Sequence, residues 1–163
     1  MLWTPHLLVG AAIAKELQRP WAALPAAFAS HFVLDFIPHL DSHGLFGVHG
    51  SGPTRMEVVS SSIDSLLGAA LLIWAVSKQS NRKLLLLAGL FGVLPDLIYN
   101  IPPWGALFKT WPIFSQVAEF HTWFGHPVGP GEWPIGFGTQ AVLVAMALWI
   151  LVRKRKIGKA KCM

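Results

Sequence analysis

The sequence predicts an all-α fold: a multi-pass helical membrane protein with about five membrane-embedded helices and an irregular Pro/Trp-rich outer loop. Three observations predict it. Charged residues make up 13% of the 163 residues, about half the roughly 25% usual in soluble domains. Mean hydropathy is +0.51, and eight Trp, ten Phe and fifteen Gly match lipid-solvated chains, where Trp marks interfaces and Gly is tolerated in helices. Finally, apolar stretches recur at 5–17, 21–37, 58–77, 83–101 and 137–152.

Taken in order, the first stretch opens with Thr4 and Pro5, an N-cap and first-turn pair. It is shorter than the about 20 residues that span a bilayer core, so it is expected to cross only in part. MLWTPHLLVG carries no basic region of a signal peptide, so this helix is expected to stay in the mature protein. QRP at 18–20 separates it from the second stretch. The third and fourth stretches are long enough to span outright, divided by the polar turn SKQSNRK at 77–83. Segment 102–135 holds six prolines and four tryptophans and reads as an irregular interfacial loop with one short helix around 113–124. The last helix, 137–152, completes a single domain over 1–152, and a basic tail follows at 153–163.

Orientation follows from the basic residues. With helices alternating in direction, the turns at 15–20 and 78–83 share a side with the tail. That side collects 11 of the 13 basic residues, leaving Arg55 and Lys109 opposite. The positive-inside rule makes it cytoplasmic, with the N-terminus outside the inner membrane and the C-terminus in the cytoplasm. Histidines and acids played no part in that choice, yet all seven histidines and seven of the eight acids, all but Glu16, sort to the outer side. An extracytoplasmic polar site is expected there.

The stretch SHFVLDFIPHLDSH at 30–43 is its centre. His31, Asp35 and His39 recur at i, i+4 and i+8, near one helix face, although Pro38 bends or ends the helix before His39. Neighbouring turns about 5.4 Å apart let such a face give two ligands to one ion; the bland alternative is a hydrogen-bonded pair joining helices. His6, Asp64 and Asp96 lie at compatible depths on the first, third and fourth helices. An Asp at the centre of a membrane helix costs roughly 2.5–3.5 kcal/mol on insertion scales, so such residues tend to be paired, ligated or functional. With few basic residues nearby, bound cations would compensate Asp35, Asp64 and Asp96. His121, in EFHTWFGHP, is placed to close the site from above, ahead of His126. His43 and His49 lie in a glycine-rich loop and read as solvent-exposed, and Asp41 ranks between them and the helical ligands, a turn cap after Pro38 being its alternative role. Glu57, Ser61, Asp64, Ser65 and Gly68 form a polar stripe on the third helix: packing for the serines, function for Asp64, with Asp64 or Glu57 as general base. The single Cys162 excludes an intramolecular disulfide and any CxxC metal motif, so a metal must be held by His and carboxylate.

TPHLLVGAAIA, SHFVLDFIPHLD and GVLPDLI together resemble the membrane-bound metal-dependent hydrolase-like family, small all-helical proteins distantly similar to zinc-dependent phospholipase C. The resemblance implies metal ligation by His6, His31, Asp35 and Asp96; HTWFGHP is only a loose echo of the family's later motif.

The expected ligand set is therefore His6, His31, Asp35, His39, Asp96 and His121 around a divalent metal, zinc suiting mixed nitrogen and oxygen donors. The expected activity is hydrolysis of a phosphoester of a membrane lipid. No GxSxG nucleophile motif is present. A metal-ion or proton transporter and a non-catalytic membrane scaffold are the alternatives. Nucleic acid is not an expected partner, because the basic residues follow the positive-inside pattern.

Overall fold

The computed structural model describes residues 1–41, 54–100, 104–125 and 127–154. Seven α-helices form among them: α1 Trp3–Leu17, α2 Pro20–Phe36, α3 Arg55–Val76, α4 Arg82–Asn100, α5 Trp104–Lys109, α6 Pro112–Phe124 and α7 Trp133–Val152, with a 3-10 turn at Pro130–Glu132 before α7. Helices α3, α4 and α7 are long and apolar enough to cross a membrane. Helix α1 has 15 residues and α2 has 17, about 22 and 26 Å at 1.5 Å per residue, which is short of a bilayer core of about 30 Å.

Local chemistry explains the helix limits. Helix α1 starts at Trp3, ahead of the Pro5 start expected from sequence, because the carboxylate of Asp64 on α3 takes up its first free amides. It ends where Gln18 turns left-handed (φ 57°) and donates its N–H to the Ala14 carbonyl. Helix α2 begins with Pro20 in its first turn and stops at an extended Ile37, as expected of a residue before proline. Helix α3 starts three residues earlier than the apolar pattern suggests. A capping box sets that start: the Glu57 N–H donates to Thr54 Oγ1, while the Glu57 carboxylate accepts from the Thr54 N–H.

Segment 102–135 is more regular than its composition predicts. Pro112, Pro130 and Pro134 each occupy a first-turn position, where the missing N–H would have had no partner anyway. There the prolines start helices instead of breaking them.

Helix α1 is the hub and packs on α2, α3, α4 and α7. Its approach to α4 depends on glycine: a Cβ on Gly10 would meet the Ala88 carbonyl, and one on Gly92 the His6 carbonyl. Leu8, Ala11, Ala14, Leu85, Ala88 and Leu151 are fully buried around this contact. Outward faces of α3 and α7 are strongly apolar instead, with Val59, Ile63, Leu66 and Ile73 on one and Phe137, Val142, Met146 and Trp149 on the other.

The bundle has two chemically different ends. At one, the buried Lys15 ammonium donates to the carbonyls of Leu151 (2.7 Å) and Arg153 (2.8 Å), Gln79 donates to Leu151, and Arg153 pairs with Glu16 at 2.8 Å. At the other, the start of α1 and the ends of α2 and α4 converge. The extended segment after α2 is pinned there: the carbonyls of Pro38, His39 and Leu40 accept from Thr139, the Val128 N–H and Gln140 respectively.

Candidate metal centre

His6 from the first turns of α1, His31 and Asp35 from the last turns of α2, and Asp96 from the last turns of α4 meet in the core, all at most 4% exposed. The His6 and His31 rings stack at 4.1 Å and 24°. Both direct Nε2 at Asp35: His6 lies 3.2 Å from Oδ1, and His31 lies 3.1 Å from Oδ2 and 3.7 Å from Asp96 Oδ1. One ligand atom each from His6, His31 and Asp96 falls within 4.8 Å of the others. The Met1 amino group is 3.0 Å from Asp35 Oδ1.

The tautomer of His31 is the decisive detail. Its Nδ1 lies 2.9 Å from the Gly92 carbonyl oxygen, which can only accept, so Nδ1 carries the proton. In the neutral ring, Nε2 then presents a lone pair to two carboxylates. Two electron-rich atoms 3.1 Å apart require a cation or proton between them. Pro95, inside α4, lacks the amide that would bond the Phe91 carbonyl, so the helix is locally loosened one residue before the Gly92 carbonyl that faces His31. Histidines that bind metals usually donate their other ring N–H to a carbonyl, carboxylate or water in this way. Asn100 in turn holds Asp96, donating to Oδ1 at 2.9 Å.

His6 is more exposed to this logic still. Its side chain is fully buried, and neither ring nitrogen makes a hydrogen bond; the 3.2 Å approach of Nε2 to Asp35 lies outside hydrogen-bond geometry. Buried polar atoms without partners are rare and costly. Ligand bonds of about 2.0–2.2 Å place tetrahedral donors roughly 3.4 Å apart; His31 Nε2 and Asp96 Oδ1 are 3.7 Å apart, and a His6 donor lies within 4.8 Å of both.

The remaining expected residues are placed differently. His39 is buried, but α2 has ended before it. Its Nδ1–H donates to the Ile37 carbonyl at 2.7 Å, and its backbone forms a parallel bridge with Pro127, so it faces away from the helical register of His31. Burial, with added repulsion from the Met1 ammonium, holds His39 below the ordinary histidine range. Asp64 Oδ2 accepts from the amides of Trp3 (2.6 Å) and Thr4 (3.1 Å), and the Thr4 hydroxyl donates to the Asp64 carbonyl. It thus caps α1 from a neighbouring helix. Glu57 is the capping-box acid of α3. Both carboxylates proposed as bases are therefore engaged at helix starts. His121 falls in the last turns of α6, its side chain outside what the structure describes, and His43, His49 and His126 lie outside the described residues. Gly92 and Asn100 were not anticipated. Asn100 stands four residues after Asp96, a spacing the sequence displays, whereas a backbone carbonyl leaves no mark in it.

No protein-family model matches this chain, and neither curated proteins nor solved structures give a match.

Proposed function

We propose that this chain is a multi-pass membrane protein that uses a divalent metal held by His6, His31 and Asp96 to hydrolyse a phosphoester of a membrane lipid. The observation that carries the reading is the buried convergence of His6, His31 and Asp96, each with a donor atom within 4.8 Å of the others, while His31 Nδ1 is turned to the Gly92 carbonyl. Zinc suits the mixed nitrogen and oxygen donors. A bound ion of this kind lowers the pKa of water toward about 7 and polarises a phosphoryl oxygen. Gly92 and Asn100 hold the donors in register. Asp35, which faces both imidazoles, is the carboxylate best placed to take the proton of the attacking water. Asp64 acts at one remove, fixing the start of α1 and with it His6.

The lipid substrate follows from position. The centre lies at the end of the bundle opposite the Lys15 and Arg153 cluster, which the positive-inside rule assigns to the cytoplasm. The apolar faces of α3 and α7 then meet lipid, and the aromatic α5–α6 region shares the outer headgroup level with the metal. The motifs' resemblance to the metal-dependent hydrolase-like family is consistent with this chemistry.

The test is elemental analysis of detergent-purified protein beside His31→Ala and Asp96→Ala, followed by headgroup release from phospholipids and polyprenyl phosphates. Stoichiometric divalent metal in the wild type, lost together with activity in the variants, is the expected result. Absence of bound metal even after reconstitution with zinc would leave the buried cluster as helix-joining scaffold.

A further inference from the structure

A second polar feature stands apart from the buried centre. Lys109 at the end of α5 and Ser115, Ala118, Glu119 and Trp123 on α6 line an open cleft of about 580 Å3. Lys109 and Glu119 are both exposed, and neither has an ion-pair partner among the described residues. The Ser115 hydroxyl donates to the Pro112 carbonyl of its own helix, so the cleft offers one cation, one anion and an aromatic face.

The two helices that form it are otherwise strongly apolar outward: Leu107 on α5, Trp111 between the helices and Ile113 and Phe120 on α6 are all about half exposed or more. Aromatic rings with a polar edge favour the membrane interface. The cleft is also linked to the metal centre. Phe120, next to Glu119, packs on Phe32 of α2 at 5.4 Å, and Phe32 packs on the His31 ring at 5.5 Å.

We propose that this cleft binds the zwitterionic aminoalkyl phosphate headgroup of a bilayer phospholipid. The Lys109 ammonium meets the phosphate oxygens. The Glu119 carboxylate and the Trp123 face meet the headgroup ammonium, the first by charge-assisted hydrogen bonding and the second by cation–π attraction. An anionic lipid without an amine satisfies only Lys109. The inference rests on the hydrolase reading in assigning this lipid as the substrate; binding itself is independent of the metal.

The experiment is calorimetric titration of the detergent-purified full chain with dihexanoyl phosphatidylethanolamine, dihexanoyl phosphatidylglycerol and glycerophosphoethanolamine. An exposed charge pair and a cation–π contact together predict about tenfold tighter binding of phosphatidylethanolamine than of phosphatidylglycerol. Glu119→Gln is expected to bring the two to parity, and Lys109→Ala to weaken both. Equal affinity for the two lipids in the wild type, or a preference that survives Glu119→Gln, overturns the assignment. Glycerophosphoethanolamine binding as tightly as the lipid overturns a bilayer source. The same titration on metal-free His31→Ala separates the two readings: a retained preference without hydrolysis in any sample refutes the catalytic reading alone, and hydrolysis without a preference refutes the cleft alone.

Discussion

His31 is held on both sides, by the Gly92 carbonyl at Nδ1 and by Asp35 at Nε2, and half of that arrangement can be read from the chain. The i, i+4 spacing of His31 and Asp35 and the depth of His6 and Asp96 point to the residues that meet. The same spacing carried on to His39 misleads, because Pro38 ends the helix and the ring turns to its own backbone. Asp64 and Glu57 show a further limit: position along a helix does not reveal whether a carboxylate serves a site or a neighbouring helix start. His39 makes a separate prediction. Its folded pKa is depressed by burial first and the Met1 ammonium second, so the unfolded chain binds its proton more tightly. The associated stability is present above the unfolded value of about 6.5 and is lost as pH falls below it. Thermal unfolding midpoints are expected to drop below that pH, with a slope of at most about 1.4 kcal/mol per pH unit from this one proton. His39→Asn should flatten the slope; an unchanged slope would refute the assignment.

Helix ends decide most of the architecture. Leu2, the N-cap residue of α1, gives no side-chain cap, and Asp64 supplies it from α3. Asp64→Ala is expected to cost about 1–2 kcal/mol, the range for losing a strong N-cap, and to weaken metal binding because His6 follows within the next turn. Asp64→Asn should recover part of the stability, since an amide oxygen still accepts. Differential scanning calorimetry with parallel metal analysis measures both. At the opposite end, Lys15 satisfies the last carbonyls of α7, where a cation also suits the helix dipole. Lys15→Met is expected to lower stability by about 1.5–3 kcal/mol, the range for hydrogen bonds to a charged group, with metal content unchanged. Metal loss in that variant would contradict the separation of the two ends. Helix positions were largely legible from apolar runs. Segment 102–135 was not, because proline content alone does not distinguish a helix breaker from a helix starter.

At the scale of the molecule, Lys15 and Arg153 lie at one end of the described bundle while His6, His31, Asp35 and Asp96 converge at the other, a separation that residue order along the helices anticipates. The close fit of α1 against α4 was not visible, since it depends on which glycines face another helix's carbonyls, as Gly10 and Gly92 do. The cap that Asp64 places on α1 also has a consequence in time. A ribosome delivers His6 and His31 well before it delivers Asp64, Gly92 and Asp96, so the two imidazoles emerge without the groups that will orient them. Newly made α1 and α2 must therefore wait as an unfinished pair. Completion of the centre waits on the third and fourth helices, and chains truncated before residue 92 would hold both imidazoles and Asp35 without the Gly92 carbonyl and the Asp96 carboxylate that complete it.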